Sequence, residues 1–229
     1  MNPAPILQIE RLAFAHPGGK RPLLDIDHLS LAARERLFVR GPSGSGKSTL
    51  MSLMAGVLIA RSGGVSLLGT DWAQVGALAR DLHRADHVGY LFQQFNLLGW
   101  LSVMDNVTLP CRFSRRRRQR ALDQASTVED AAARWLQAFD IAPPSWHLPA
   151  AQLSVGQQQR VAAARALIGQ PELVLADEPT SALDAGLRDR FMQHLLEACD
   201  AAQSALVFVS HDDALARHFS RTLTLDIAQ

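Results

Sequence analysis

The sequence predicts an α/β fold with a mainly parallel sheet, a small antiparallel β region near the N-terminus and an all-helical insert. Three observations support this prediction. Short apolar runs alternate with helical patterns in both terminal parts of the chain, strand signals disappear in its middle, and a glycine-rich segment at 41–49 joins a strand to a helix. We therefore expect an α/β core formed by 1–92 and 152–229, with a helical subdomain at 93–151.

The composition is that of a globular protein and narrows the classes of partner. The chain has 229 residues, 48% of them hydrophobic and 20% charged, with a net charge of +1, so no basic field predicts nucleic-acid binding. Its two cysteines, Cys111 and Cys199, show no metal-ligand spacing and suggest a reducing compartment. We find neither a signal-peptide pattern nor an apolar run long enough to span a bilayer, and expect a cytosolic protein that reaches a membrane only through a partner.

The N-terminal part reads as strands leading to the glycine-rich segment. We predict strands at 6–14 and 23–31, separated by a turn at 17–19, and a third strand at 36–40. Apolar residues then follow at helical spacing up to Leu58.

The glycine-rich segment fits G-x-x-x-x-G-K-[ST], the phosphate-binding loop. A helix begins directly after it, and its unpaired backbone N–H groups and dipole favour an anion. We therefore predict a P-loop NTPase core in which Lys47 reaches the β- and γ-phosphates of a nucleotide and Ser48 binds Mg²⁺. The predicted phosphate-binding residues are Gly41, Ser43, Gly44, Ser45, Gly46, Lys47, Ser48 and Thr49.

The segments after this helix continue the alternation and then change character. We predict that Gly63 and Gly64 end one element, that a short strand follows at 65–68, a helix at 72–86 and a strand at 87–92. In the insert, the run of arginines at 115–118 is explained either as a solvated helix face or loop, or as a contact with lipid headgroups or a partner's acidic patch.

The C-terminal part returns to α/β alternation. Ser154 is predicted to cap a helix that ends near Ile168, and a second helix is expected at 185–199. The uninterrupted apolar runs 173–176 and 205–209 are typical of parallel strands that are buried on both faces.

Two of these predicted strands end in residues suited to phosphate chemistry. Asp177 and Glu178 follow one, and His211 follows the other. Because parallel sheets bind ligands at the carboxyl ends of their strands, we expect these residues near the phosphate loop. Asp177 can hold Mg²⁺ with Ser48, Glu178 can activate a water for attack on the γ-phosphate, and His211 can donate a hydrogen bond to it.

Several motifs together resemble those of ABC-type ATPases. Residues 153–160 (LSVGQQQR) are similar to the family's signature motif, and they precede a segment at 173–178 that resembles the Walker B motif. Ser181, Ala182, Leu183 and Asp184 resemble the D-loop, Gln93 the Q-loop glutamine and His211 the switch histidine. The motifs occur in family order and cover nearly the whole chain.

The resemblance implies a head-to-tail homodimer that holds two Mg-ATP, in which the signature of one copy faces the phosphate loop of the other. The signature residues would be Ser154, Val155, Gly156 and Gln157, with Ser181 and Asp184 in the D-loop. Gln93 would sense Mg²⁺ and the attacking water, and would serve both catalysis and metal binding. The helical insert would dock a transmembrane permease near Gln93–Met104; the candidate docking residues are Leu97, Leu98, Trp100, Leu101 and Met104, although core packing explains this apolar cluster equally well.

The chain departs from the family pattern at two positions. Val155 stands where the signature usually has glycine, and its branched side chain is expected to weaken dimer closure. His16 stands where the aromatic residue that stacks on adenine is usually Tyr, so that the preference for the base is expected to be looser.

The stretch 88–107 is similar to the lipoprotein-release and macrolide-efflux branch, whose ATPases drive a permease that acts on periplasmic components. Polar amino-acid importers share much of this stretch. The resemblance therefore implies a peripheral ATPase on the cytoplasmic face of the inner membrane, with a periplasmic adaptor reached through the permease. An importer ATPase is the alternative. The motifs favour less a non-transport ABC ATPase, another phosphate-loop enzyme such as a kinase, or a non-hydrolysing scaffold.

Overall fold

The computed structural model describes residues 4–16, 18, 22–181 and 183–226. The chain divides into two compact units, one formed by Met1–Arg84 with Ala205–Gln229 and the other by Ala85–Ser204. Both contain strands and helices, and the predicted α/β fold with parallel and antiparallel β-structure is confirmed. The predicted turn at 17–19 and the D-loop residue Ala182 lie partly or wholly outside the described residues.

The first unit contains an antiparallel sheet in the strand order β2-β1-β4-β5. Its strands are β1 (Leu7–Phe14), β2 (Leu24–Leu31), β4 (Ser62–Leu67) and β5 (Thr70–Asp71). Gly63 and Gly64 do not end an element, as the sequence suggested, but lie within β4. A Cβ atom on Gly63, which has φ 77°, would come within 2.2 Å of the carbonyl oxygen of Arg11 on the neighbouring strand, so the close strand contact requires glycine.

The first unit also contains three parallel strands. β3 (Arg36–Arg40) lies between β8 (Ala205–Val209) and β9 (Arg221–Thr224) and pairs with both. The ring of Phe38 is buried and stacks on that of Phe208 with a centroid distance of 6.4 Å. Helix α1 (Lys47–Met54) follows β3, and it is shorter than predicted.

In its described residues, the second unit combines a parallel strand pair with α-helices and two short 3-10 helices, Pro143–Ser145 and Ala150–Gln152. Strand β6 (Val88–Leu91) pairs in parallel with β7 (Leu173–Asp177). Helix α2 (Ala77–His87) contains the boundary between the units and begins five residues after the predicted start. The α-helices of the unit are α3 (Val103–Phe113), α4 (Arg115–Leu122), α5 (Val128–Ala138), α6 (Val155–Leu167) and α7 (Ala185–Ala202).

Strand signals disappear in the sequence of the predicted insert, and the structure has the helices α3, α4 and α5 there. The boundaries 93–151 of a separate helical subdomain stay a prediction. Within the described parts of the chain, no helix is both long and apolar enough to cross a bilayer.

Candidate functional site

The phosphate loop lies between the end of β3 and the start of α1. Gly46 caps α1 with φ 91°, a left-handed conformation that residues with a side chain rarely adopt. A Cβ atom at this position would also come within 2.9 Å of Leu24 Cδ2. Glycine is therefore required here for both the backbone conformation and the space.

The side chain of Lys47 is folded onto the loop. Its ammonium donates hydrogen bonds of 2.9 Å to the carbonyl oxygens of Gly41 and Pro42, and the residue is only 7% exposed. The hydroxyl of Ser45 is buried without a hydrogen-bond partner. Ser43, Gly44 and Ser48 are exposed on the same loop. These groups can therefore exchange contacts within the loop for contacts with phosphate oxygens.

His16, the candidate base-stacking residue, lies beside this loop. Its Nε2 atom is 3.3 Å from the hydroxyl of Thr49. The imidazole ring meets the ring of Phe14 edge-on, with a centroid distance of 5.2 Å. The structure thus brings His16 and the phosphate-loop residue Thr49 together on the first unit.

His211 follows β8 at the edge of the sheet where the phosphate loop follows β3. Val39 and Val209 are paired in the parallel register, and the amide of Ser210 donates to the carbonyl of Val39 at 3.3 Å. Two parallel neighbours in this register place their following residues at the same edge. His211 itself is exposed.

Gln93 and Asp177 share an edge in the second unit. The paired residues Leu91 and Ala176 are near the carboxyl ends of β6 and β7, so the loop with Gln93 and the residues 177–178 leave the strands side by side. Gln93 is exposed and Asp177 is half-buried. Burial, together with the negative charge of Asp177, raises the pKa of Tyr90 far above its ordinary value.

Glu178 has a φ of 46°, in the left-handed region. This conformation is uncommon for a residue with a long side chain and costs about 1–3 kcal/mol. The carbonyl oxygen of Glu178 accepts a hydrogen bond from the amide of Ser181 at 3.2 Å. The turn between β7 and the D-loop therefore fixes the direction in which the Glu178 side chain leaves the backbone.

The signature residues form the N-terminus of α6, as predicted. Ser154 is the N-cap, and a capping box joins it to Gln157: the Gln157 amide donates to Ser154 Oγ at 3.3 Å, and the Ser154 amide donates to Gln157 Oε1 at 2.9 Å. Val155 and Gly156 occupy the first turn, with 51% of Val155 exposed. Beside them a cavity of about 430 Å³ is lined in part by Leu183 and Leu187.

The D-loop leads into α7. Asp184 caps this helix by accepting a hydrogen bond of 3.0 Å from the amide of Leu187. Ser181 is exposed. The capped start of α7 therefore fixes the end of the D-loop on the same unit as the signature.

Two arginines make further contacts between parts of the second unit. The sequence analysis assigned no role to Arg165 and considered Arg117 only as a member of the arginine run at 115–118. Arg165 on α6 donates to backbone carbonyls of the loop that follows Gln93. Arg117, within the arginine run of the insert, is 3% exposed and donates to carbonyls at the end of α6. Neither expected explanation of the run therefore applies to Arg117, because it is buried inside the unit. Their positions within helical patterns gave no signal, because a pattern cannot show which carbonyls an arginine reaches.

Comparisons with known proteins agree with these motifs. The family model described as "ABC transporter" matches residues 24–181. LolD, the lipoprotein-releasing system ATP-binding protein of Chromohalobacter salexigens, is 38% identical over 227 residues, which cover 96% of this chain and 91% of LolD. The macrolide export ATP-binding/permease protein MacB of Sodalis glossinidius is 37% identical, but this chain covers only 33% of its length.

The solved structures extend the likeness to the fold. A dimeric post-hydrolysis structure of the ATP-binding cassette MJ0796 bound to ADP and Pi is 30% identical and covers 97% of both chains, with a TM-score of 0.83. The predicted P-loop NTPase core is thereby confirmed. The chain belongs to the ABC transporter family of ATP-binding proteins, which are ATPases.

Proposed function

We propose that this protein hydrolyses ATP as a homodimer and drives a separate transmembrane permease of an export, lipoprotein-release or mechanotransmission system. The observation that carries the proposal is the set of strand ends. The phosphate loop and His211 share one edge of the first unit, and Gln93, Asp177 and Glu178 share one edge of the second. All five features suit a nucleoside triphosphate, and we propose that they act on the same one.

The proposed roles follow from the chemistry of each side chain. Lys47 neutralises the β- and γ-phosphates, and backbone amides of the loop bind their oxygens. Glu178 accepts a proton from the attacking water, and His211 donates a hydrogen bond to the γ-phosphate. Gln93 orients the water. Hydrolysis adds that water across the terminal P–O bond and releases ADP and phosphate.

The residues offered for Mg²⁺ fit this ion. The hydroxyl of Ser48, the carboxylate of Asp177 and the amide oxygen of Gln93 are hard oxygen donors, which Mg²⁺ prefers, and it needs few protein ligands. No cluster of three or more His, Cys, Asp or Glu side chains suited to a metal occurs among the described residues. Bound there, Mg²⁺ would neutralise charge on the phosphate oxygens.

The signature supplies the reason for a dimer. We propose that Ser154 and the first amides of α6, at the capped start of this helix, form a second anion-binding helix terminus. In the proposed homodimer, this terminus binds the γ-phosphate held by the other copy. The relative MJ0796 cassette has been solved as a dimer, which supports the proposal.

The permease would dock on the segment 93–104. Trp100 is 78% exposed in this segment, and Leu97, Leu98, Leu101 and Met104 are half-buried. The relatives named LolD and MacB favour an export or lipoprotein-release system. In such a system, a periplasmic adaptor would be reached through the permease. The protein would then work as a peripheral subunit on the cytoplasmic face of the inner membrane.

An importer ATPase is the alternative. Coexpression with an exporter permease and with an importer permease distinguishes the two functions, because only the matching permease should raise ATP turnover.

The central test is Glu178→Gln. A glutamine keeps the size of the side chain but cannot accept the proton from water, so we expect turnover to fall by at least about a hundredfold while ATP binding persists. The variant should then accumulate as an ATP-bound dimer in size-exclusion chromatography.

Glu129→Gln is the matched control, since Glu129 is exposed on α5; it should hydrolyse ATP at the wild-type rate and remain free of the trapped dimer. Wild-type turnover by Glu178→Gln would exclude Glu178 as the base. Loss of turnover with ATP bound only by monomers would refute the proposed dimer.

A further inference from the structure

The loop that carries Gln93 is bent through two consecutive residues in left-handed conformations. Phe95 has a φ of 60° and Asn96 a φ of 50°. The amide of Phe95 donates to the carbonyl of Phe92 at 2.9 Å, which places Gln93 and Gln94 at the exposed tip of a turn. Residues with side chains adopt two such conformations in succession only where their surroundings hold them.

Arg165 is the side chain that holds this bend. Its Nη2 atom donates to the carbonyl oxygen of Phe95 at 2.6 Å, and its Nη1 atom donates to that of Asn96 at 2.7 Å. Burial lowers the pKa of Arg165 to about 10, so the guanidinium keeps its charge at neutral pH. The planar fork therefore makes two charge-assisted hydrogen bonds to adjacent strained peptides.

A second anchor holds the other end of the loop. Asn106 on α3 is fully buried; it accepts a hydrogen bond from the amide of Leu98 at 2.9 Å and donates to the carbonyls of Leu98 and Ser102, both at 3.0 Å. The loop is thus tied to α3 on one side and to α6 on the other. The carbonyls that Arg165 binds, those of residues 95 and 96, are nearer in sequence to Gln93 than Leu98, which Asn106 binds.

We propose that Arg165 is a positioning residue, which fixes Gln93 for catalysis by binding the backbone of its loop to α6. This inference rests on the proposed role of Gln93. Arg165 is near the C-terminal end of the helix whose first turn is the signature. One rigid helix therefore carries both the signature and the anchor of the Gln93 loop, and the placement of the two is linked through Arg165.

A purely structural role predicts a different result, and Arg117 allows the two to be separated. Arg117 donates to the carbonyls of Ala166 at 2.5 Å and Ile168 at 2.8 Å, and to that of Arg165 at 3.4 Å, at the same end of α6. Its described hydrogen bonds do not reach the Gln93 loop or the guanidinium of Arg165. We expect a variant of Arg117 to loosen this end of α6, while the guanidinium of Arg165 keeps its contacts with the carbonyls of Phe95 and Asn96.

The experiment is a double-mutant cycle in the full-length protein. We expect Arg165→Gln to lower kcat for ATP about tenfold, with KM within about twofold, because the phosphate loop is untouched. In the Gln93→Ala background, Arg165→Gln should cause no further loss of kcat, because the two substitutions remove the same function. Arg165→Lys should restore part of the rate, because an ammonium can bind one of the two carbonyls.

Hydrogen exchange supplies a readout that does not depend on activity. Arg165→Gln should speed amide exchange in a peptide covering 92–98, whereas Arg117→Lys should lower the melting temperature and leave both that exchange and kcat unchanged. Unchanged exchange in Arg165→Gln, or an equal loss of kcat in Arg117→Lys, would overturn the inference.

The cycle also separates the two proposals. If Gln93→Ala is slow and the double variant is slower by the product of the single effects, only the role of Arg165 is wrong. If Gln93→Ala turns over at the wild-type rate, the proposed role of Gln93 is wrong and the role of Arg165 falls with it.

Discussion

Val155 is the residue at which this chain departs from the glycine that is usual in the signature motif. It occupies the first position of α6, directly after the N-cap Ser154, and half of its side chain is exposed. The backbone amide that glycine would present is retained, but a branched side chain stands beside it. Together with Leu183 and Leu187, Val155 belongs to the apolar part of a cavity next to the signature that polar and charged side chains also line. In the proposed dimer, its bulk would therefore limit how closely the two copies approach, while the backbone amides of the first turn are retained.

We predict that Val155→Gly strengthens ATP-driven dimerisation by about three- to tenfold, because removing the side chain lets the nucleotide of the other copy come closer to the first turn of α6. The measurement is the dimer dissociation constant by analytical ultracentrifugation with ATP, in the Glu178→Gln background. Val155→Ala, which removes only the branching, should give an intermediate value. An unchanged constant in Val155→Gly would show that the side chain does not limit closure.

Among the elements, α2, α4 and β7 are joined by one half-buried carboxylate. Glu172, just before β7, accepts hydrogen bonds from His87 at 2.7 Å and from Arg116 at 2.6 Å, and Arg120 lies 2.9 Å away. Burial raises the pKa of Glu172, but the hydrogen bonds from His87 and Arg116 and the positive charges outweigh it, and the pKa falls to about 2. Arg116 thus pairs with Glu172 although it is itself exposed, as a solvated helix face of the arginine run would have it.

This cluster predicts a stability that is lost in acid. The pKa of Glu172 is lower in the folded chain than its ordinary value of about 4.3, so its contribution is complete above that pH and disappears as the pH falls towards 2. Because Glu172 is only half-buried and its arginine partners are partly solvated, screening reduces this contribution, and we expect Glu172→Gln to cost about 1–2 kcal/mol of unfolding free energy at pH 7 and little near pH 2. Urea unfolding at several pH values measures both.

Glu129→Gln, at an exposed position of α5, serves as the control and should change the unfolding free energy by less than about 0.5 kcal/mol. An equal cost of Glu172→Gln at acid and neutral pH would mean that the stabilisation does not come from the charge of Glu172.

The elements also show what could be predicted from sequence. Strand β8 was predicted residue for residue, because five consecutive apolar residues, all buried, identify a central strand. Strand β9 was missed: its sequence Arg-Thr-Leu-Thr has no apolar run, and pairing with β3 is what makes it a strand. The predicted start of α2 at 72 is too early, because Trp72 precedes the helix as a buried core residue whose Nε1 atom donates to the carbonyl of Met54.

The candidate site likewise contains features that could be predicted from sequence and features that could not. The phosphate loop and the capped start of α6 could be predicted, because each depends on residues that are adjacent in sequence. Arg165 could not, because its partners Phe95 and Asn96 are about seventy residues earlier in the chain and offer only backbone carbonyls, which every residue has. Contacts from a side chain to a distant backbone therefore remain invisible in the sequence.

At the scale of the whole molecule, the proposed function requires that no single copy contains a complete site. Glu178 and the phosphate loop would act on one ATP, and Ser154 of the same copy would act on the other. Two inactive variants should therefore complement each other. In a mixed dimer of Glu178→Gln with Ser154→Arg, both defects fall on one ATP, and the other ATP meets an intact Glu178 and an intact signature.

We predict that each variant alone is nearly inactive and that an equal mixture recovers up to about a quarter of the wild-type rate, since half of randomly formed dimers are mixed and each has one intact site of two. Phosphate release measured against mixing ratio tests this, with a maximum expected near equal amounts. Mixing Glu178→Gln with the double variant Glu178→Gln/Ser154→Arg is the control and should recover nothing, because every site then lacks the base. Activity that stays at the sum of the separate variants would mean that each copy hydrolyses ATP within its own chain, because a site built from two copies cannot behave in that way.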